Sequence, residues 1–226
     1  MNTQSPGALQ TDPVSGLSYR LLQPPPAAPR RCLVLLHGVG STETSVAGLA
    51  EGVADDTLVV LARGPFALGP TQFAWFQVSF TADGPRILPE QAEQSRQALI
   101  RLLAELQRQH GVAAQQTVVA GFSQGGIMSA GVALTSPESV AGFGLLSGRI
   151  LPEIAPLLAS RERLGRLRGL VAHGEQDSKL PVDWAMRAHA WLDELGVSHE
   201  LKLYPIDHCV SAPMQADFLR WWHELG

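Results

Sequence analysis

The sequence predicts an α/β fold, a mostly parallel sheet with helices on both faces, and three observations carry that prediction. Short, continuous apolar runs rich in Val and Leu recur along the chain. Helical patterns alternate with them, and turns rich in Gly and Pro separate the two. The 226 residues, 45% of them hydrophobic, suffice for one sizeable core. No internal repeat and no long linker divides them, so a single domain over residues 1–226 is expected.

The elements follow in order. Leu17 to Leu22 predicts a first short strand, and PPPAAP (Pro24 to Pro29) a stiff connection, because proline fixes φ and cannot donate to a ladder. Residues 1–30 therefore read as an N-terminal strand and a Pro-rich connection. RCLVLL (Arg31 to Leu36) has the character of a strand buried on both faces. Similar runs lie at Thr57 to Ala62, Thr117 to Ala120, Val140 to Leu146, Leu167 to Ala172 and His199 to Tyr204. Helices are predicted over Glu43 to Ala54 and over Pro89 to His110, where Leu99, Leu102, Leu103 and Leu106 mark one apolar face. Further helices are predicted over Gln124 to Leu134, stopped by Pro137, over Pro181 to Leu195, stopped by Gly196, and over Ser211 to Leu225.

Gly64 to Leu88 does not fit the alternation. This stretch of 25 residues is punctuated by proline and carries Phe66, Phe73, Trp75, Phe76 and Phe80. Loops of this length in compact domains are commonly lids or binding loops. Its aromatic content speaks against disorder and for an ordered wall over a site, with a local hairpin packed for stability as the alternative.

Composition excludes several function classes. Seventeen Lys and Arg against twenty-one Asp and Glu give a net charge of −4 with no basic block, so neither nucleic acid nor an anionic membrane surface finds a footprint. No apolar stretch approaches the roughly 20 residues that cross a bilayer. The N-terminus carries no signal-peptide pattern, and a cytoplasmic location is expected. Two cysteines, Cys32 and Cys209, are too few for a disulfide scaffold and lack metal-ligand spacing. No pattern supports a homodimer.

The chemistry is concentrated in AGFSQGG (Ala120 to Gly126). G-x-S-x-G between a predicted strand and a predicted helix describes a nucleophile elbow, in which Ser123 is raised above the end of the sheet. A serine hydroxyl needs a base, and the base needs an orienting acid. On this architecture the chain order is serine, acid, histidine. Of seven histidines, His37 precedes the serine, His110, His189 and His223 fall in helices or near the C-terminus, His173 comes early, and His199 opens the last strand. His208 follows that strand, at the end of the sheet where Ser123 stands, and is the candidate base. Asp177, in HGEQDSKLP beyond the strand ending at Ala172, is the candidate acid in preference to Glu175, Asp183 and Asp207. The oxyanion of an attacked carbonyl needs preorganised donors. The backbone N–H of Gln124 is one, and the Gly-rich LLHGVGS (Leu35 to Ser41) is the source of the other. That loop lacks the lysine and spacing of a phosphate-binding loop.

LHGVGSTE, RGP…AWF, GFSQGG, LSG, HGEQDSKLP and His208-x-x-Ser211, in this order, resemble the carboxylesterase/phospholipase family of α/β-hydrolases, which includes acyl-protein thioesterases. The resemblance runs from about Arg31 to the C-terminus. It implies the α/β-hydrolase fold, the triad Ser123, Asp177 and His208, and an oxyanion hole of the Val39 and Gln124 N–H groups. It also implies that Trp75 and Phe76 wall the substrate pocket. Ser41, Gln77 and Asp207 depart from the family pattern, so acyl-chain length and thioester or lysophospholipid activity do not follow from it. The expected function is hydrolysis of small to medium-chain carboxylic esters through an acyl-enzyme, with a small-molecule ester as partner and neither metal nor organic cofactor. Ser123 stands where the related dienelactone hydrolases carry cysteine. An acyl-protein thioesterase or lysophospholipase, a peptidase or haloperoxidase-like hydrolase, and a non-catalytic ligand-binding member of the fold are the alternatives.

Overall fold

The computed structural model describes residues 5–81 and 84–225. Positions 1–4 of the predicted N-terminal segment and positions 82 and 83 of the aromatic segment lie outside them. A sheet runs through the centre. Its strands are β1 (Ser5–Pro6), β2 (Gln10–Thr11), β3 (Ser18–Gln23), β4 (Arg31–Leu36) and β5 (Thr57–Ala62), then β10 (Thr117–Phe122), β11 (Gly142–Leu146), β12 (Arg168–Gly174) and β13 (Ser198–Tyr204). The order across the sheet is β1-β3-β5-β4-β10-β11-β12-β13, with β2 also on β3. From β5 to β13 every pairing is parallel, and only the N-terminal strands run antiparallel.

The continuous apolar runs are explained by burial on both faces. In β4, Cys32, Val34 and Leu36 point into one core and Leu33 and Leu35 into the other. The first core lies under α1 (Pro89–His110), α2 (Gln124–Thr135) and α4 (Asp183–Leu195), with α3 (Arg161–Leu164) contributing Leu164. The second lies under α5 (Ala212–Glu224), which brings Phe218, Trp221 and Trp222, and under a 3₁₀ segment that brings Val46 and Leu49. Cys32 is buried in the first core, where burial pushes its thiol up to about 12; Cys209 is exposed.

Two expectations change. The helix expected over Glu43 to Ala54 is a 3₁₀ segment over Glu43–Ala50. The Ser45 hydroxyl donates back to the Thr42 carbonyl, and Gly52 at φ 97° turns the chain away soon afterwards. The stretch 64–88, expected as a loop walling a site with a packed hairpin as the alternative, folds into two antiparallel hairpins. These are β6 (Phe66–Gly69) with β7 (Gln72–Ala74), and β8 (Val78–Thr81) with β9 (Gly84–Ile87). Pro70 takes the first turn and Pro89 opens α1, positions that need no ladder donor. No helix among the described residues is long and apolar enough to cross a membrane.

Because the central strands are parallel, their carboxyl ends collect at one edge, where ligand sites of open α/β sheets form. His37, Ser123, Ser147 and the segment after Gly174 all leave the sheet there.

Candidate active site

Backbone proximity makes the turn at Ser123. A Cβ on Gly125 would lie 2.0 Å from the Leu36 carbonyl oxygen, and one on Gly121 would lie 2.5 Å from the Gly125 carbonyl carbon. Glycine alone lets α2 start this close to β4 and β10. Ser123 itself is held at φ 54°, ψ −117°, a conformation uncommon for a residue with a side chain, by its N–H donating to the Leu146 carbonyl at 2.8 Å.

The structure brings Ser123, His208 and Asp177 into one hydrogen-bonded chain. His208 Nε2 lies 2.9 Å from Ser123 Oγ, and His208 Nδ1 lies 2.7 Å from Asp177 Oδ2. With Nδ1–H donating to the carboxylate, Nε2 is left as the acceptor facing the hydroxyl. Asp177 is 5% exposed, and its Oδ1 accepts the Lys179 and Leu180 N–H groups at 2.9 and 2.7 Å. Its rivals stand elsewhere: among the described residues Glu175 and Asp183 form no hydrogen bond or ion pair with His208, and Asp207 has a different task. Asp207 Oδ1 accepts the N–H groups of Ser178 and His208, each at 2.7 Å, and Oδ2 the Ser178 hydroxyl at 3.2 Å. The backbone bonds from Ser178 and His208 hold its carboxyl below the usual carboxylate range. Asp207 thereby ties the loop carrying the acid to the loop carrying the histidine. His173 braces the same loop from below. It is buried, its Nε2 donates to the Leu180 carbonyl at 2.7 Å, and desolvation lowers its pKa, so it stands neutral beneath Asp177.

The loop after β4 is held by a second set of groups. His37 donates from Nδ1 to the Gly38 carbonyl at 2.7 Å, and its Nε2 accepts the Gly64 N–H at 3.0 Å. Burial lowers its pKa and keeps it neutral. Glu43, 1% exposed, takes Arg20 at 2.6 Å and a two-pronged contact from Arg63 at 2.6 and 2.8 Å. Burial works to raise its pKa, but the hydrogen bonds from Arg63 and Arg20 outweigh that and pull it to about 2. Among the described residues, neither the Val39 nor the Gln124 backbone N–H donates to another group. Gln124 is the first residue of its helix, where an N–H has no intrahelical acceptor. Both residues line one cavity of about 580 Å³ with Ser123 and His208.

The side chain of Gln124 has a role that the sequence did not reveal. Its Oε1 accepts the Trp75 N–H at 2.6 Å and its Nε2 donates to the Phe76 carbonyl at 2.7 Å. It thus hangs the aromatic segment on the elbow. Trp75 corrects the expectation for the pocket: it is wholly buried, its Nε1–H donates to the His37 carbonyl at 2.9 Å, and it stands behind the cavity rather than in its wall. Both residues lie in the bend between the two hairpins and pack into the core, and of the two only Phe76 also lines the cavity. Val78 and Ile87 of the second hairpin line the cavity beside Phe76. A possible cation set lies outside it: ligand atoms of His189, Asp193 and His199 fall within 4.8 Å of one another. His189 Nδ1 and His199 Nε2, 2.7 Å apart, are hydrogen-bonded to each other.

A sequence profile of the phospholipase/carboxylesterase family matches residues 18–221. The chain belongs to that family. Among its curated relatives is acyl-protein thioesterase 1 of Eremothecium gossypii, 25% identical over 199 residues that make up 82% of this chain and 84% of the relative. A probable inactive carboxylesterase of Oryza sativa subsp. japonica is 25% identical over 80% of this chain and 83% of its own length. In fold, this family member superimposes on a carboxylesterase from Mesorhizobium loti with a TM-score of 0.81 at 24% identity, covering 96% of this chain and 98% of the other. The TM-score is 0.73 at 19% identity to acyl-protein thioesterase 2 of Zea mays, covering 92% and 99%. The α/β-hydrolase fold expected from the motifs is the one observed.

Proposed function

We propose that this family member is a serine carboxylesterase acting on small to medium-chain carboxylic esters through an acyl-enzyme. The observation that carries the proposal is the unbroken Ser123–His208–Asp177 hydrogen-bond chain at the wall of the cavity. Ser123 Oγ attacks the ester carbon while its proton passes to His208 Nε2. The negative oxygen that forms is received by the Val39 and Gln124 N–H groups, which are already free of other acceptors. Collapse of this intermediate breaks the C–O bond, and His208 returns the proton to the departing alcohol. A water then repeats the sequence on the acyl-serine, with His208 again taking the proton and Ser123 Oγ as leaving group. Asp177 holds the ring in the tautomer that can accept, and its charge favours the imidazolium that forms.

The curated relatives named acyl-protein thioesterase favour a second reading, thioester hydrolysis at the same serine. Matched oxyester and thioester substrates separate the two by their kcat/KM ratio. The existence of a relative described as probably inactive makes the serine itself the first thing to test. Labelling by a fluorophosphonate, with p-nitrophenyl esters from acetate to palmitate run in parallel, performs that test. Ser123→Ala is expected to abolish labelling and to lower kcat by roughly 10⁴–10⁶ with the thermal transition unchanged. A wild-type protein that is folded but neither labelled nor active would instead make the cavity a binding site only.

A further inference from the structure

Among the residues of the cavity, Arg149 is anomalous. It leaves the carboxyl end of β11 immediately after Ser147 and Gly148. Ser147 is held at φ 48° by its N–H donating to the Ala172 carbonyl at 2.8 Å. A Cβ on Gly148 would fall 3.0 Å from the Ser123 carbonyl oxygen, so this backbone runs directly alongside the nucleophile. The next side chain enters the cavity that Ser123 and His208 line. Arg149 is only 7% exposed, yet among the described residues it makes no hydrogen bond and no ion pair. Other partly buried arginines are occupied. Arg20 and Arg63 hold Glu43, Arg96 holds Glu93 and Thr135, and Arg31 donates to the Trp222 carbonyl.

The guanidinium of Arg149 lies over the Trp184 ring, with its carbon 4.6 Å from the ring centroid. A ring face accepts no conventional N–H···O bond, so the N–H donors are left without an oxygen acceptor. None of its nitrogens is among the buried side-chain atoms cut off from solvent and partner. Burial pulls its pKa below the ordinary arginine value, and Glu153 opposes this only through space, without forming an ion pair. Its N–H donors are open to the solvent of the cavity and engaged by no acceptor among the described residues, so an anion arriving there meets a cation already in place. Lys179, on the loop that carries Asp177, lines the same cavity, and no Asp or Glu does among the described residues.

We propose that Arg149, with Lys179 at the rim, recognises an anionic group on the substrate, so that the preferred esters are half-esters of short dicarboxylic acids. This rests on the serine-esterase reading above and names the substrate class for it. A planar carboxylate matches the two-pronged edge that Arg149 offers. The apolar wall of Phe76, Val78 and Ile87 suits the methylenes between that carboxylate and the scissile carbonyl.

The test uses the full chain and two substrates of equal length, mono-p-nitrophenyl adipate, which is anionic, and p-nitrophenyl adipamate, which is neutral. The anionic substrate is expected to win in kcat/KM by at least about tenfold, chiefly through KM. Arg149→Gln should bring the ratio to about one, and Arg149→Lys should keep part of it, because charge survives but the two-pronged geometry does not. A ratio near one in the wild type, or a ratio untouched by Arg149→Gln, overturns the inference and leaves the esterase reading standing. No turnover of either substrate together with no fluorophosphonate labelling overturns the esterase reading itself. Should Arg149→Gln fail to fold, inhibition of wild-type p-nitrophenyl acetate hydrolysis decides. Competitive inhibition by adipate and not by its diamide supports the proposal, whereas inhibition by inorganic phosphate but not adipate overturns the carboxylate assignment.

Discussion

The elbow at Ser123 and the aromatic hairpins over it meet across one residue, Gln124, but they are built on opposite principles. At the elbow, main chain packs on main chain: Gly121, Gly125 and Gly126 have backbone atoms within 3 Å of where a Cβ would be. The hairpins are joined to the body of the protein mainly through side chains, beside one backbone bridge in which the Gly40 N–H donates to the Phe73 carbonyl and the Phe73 N–H to the Ser41 carbonyl, each at 2.9 Å. Gln124 grips Trp75 and Phe76, the Ser95 hydroxyl donates to the Trp75 carbonyl at 2.5 Å, and the Trp75 ring reaches the His37 carbonyl. The nucleophile proposed at Ser123 would have to be held to a fraction of an ångström, which main-chain packing achieves. A substrate wall must be changeable without disturbing it, and attachment through side chains permits that.

The largest effect is expected where backbone meets backbone. Gly125→Ala places a methyl group 2.0 Å from the Leu36 carbonyl oxygen, and neither strand nor helix can yield. Loss of more than about 4 kcal/mol is expected, read as loss of the cooperative urea transition or of soluble protein. A Gly125→Ala protein with a near-normal transition would show that the elbow is looser than its contacts indicate.

Trp75→Ala comes next. It empties a fully buried site and orphans the His37 carbonyl, for about 3–5 kcal/mol. A change in acyl-chain preference at unchanged stability would return Trp75 to the substrate wall, where the motif resemblance put it.

Gln124→Ala separates the two regions, because it cuts the attachment while leaving the backbone N–H at position 124 in place. Two buried groups on the hairpin side, the Trp75 N–H and the Phe76 carbonyl, lose their partners. About 2 kcal/mol of local stability is at stake. Limited proteolysis within 64–88 should then accelerate by roughly 30-fold, since cleavage follows the population of the opened segment. Unchanged proteolysis would mean that Ser95, the Trp75 ring and the backbone bridge from Phe73 to Gly40 and Ser41 suffice to hold the hairpins.

What the sequence disclosed follows the same division. Strands β4, β5 and β10 were legible because a strand buried on both faces must be apolar throughout. The residues that the structure joins by hydrogen bonds, Ser123, His208 and Asp177, could be picked out because the proposed elbow chemistry constrains residue type, turn shape and chain order together. The aromatic segment was legible only as a wall. Whether Trp75 or Phe76 faces the cavity depends on how the hairpins sit against the core, and two adjacent aromatics carry no periodic signal to decide it. Gln124 was read for its backbone N–H, and its side chain was invisible because its partners are backbone groups 48 and 49 residues away. Arg149 follows an apolar strand end, and nothing in the sequence says that its side chain lines the cavity without an ion-pair partner among the described residues. Asp207 was visible as a carboxylate beside the histidine, but its bonds to Ser178 come from a loop 29 residues distant.

The smallest effect is expected farthest from the elbow. Val78, half-buried on β8, lines the cavity and makes no side-chain bond to the body of the protein. Val78→Ala removes two methyl groups from the wall, and the stability cost should stay below about 1.5 kcal/mol because the site is not fully buried. The added room should favour a longer acyl chain. One methylene newly buried is worth about 0.8 kcal/mol, or roughly fourfold in the kcat/KM ratio of neighbouring p-nitrophenyl esters. An acyl-length profile that moves while p-nitrophenyl acetate turnover holds would show wall and nucleophile to be separable, as their construction implies. A profile that stays fixed would reduce the second hairpin to a cover, and leave Phe76 and Ile127, packed into the core, to set the depth of the cavity.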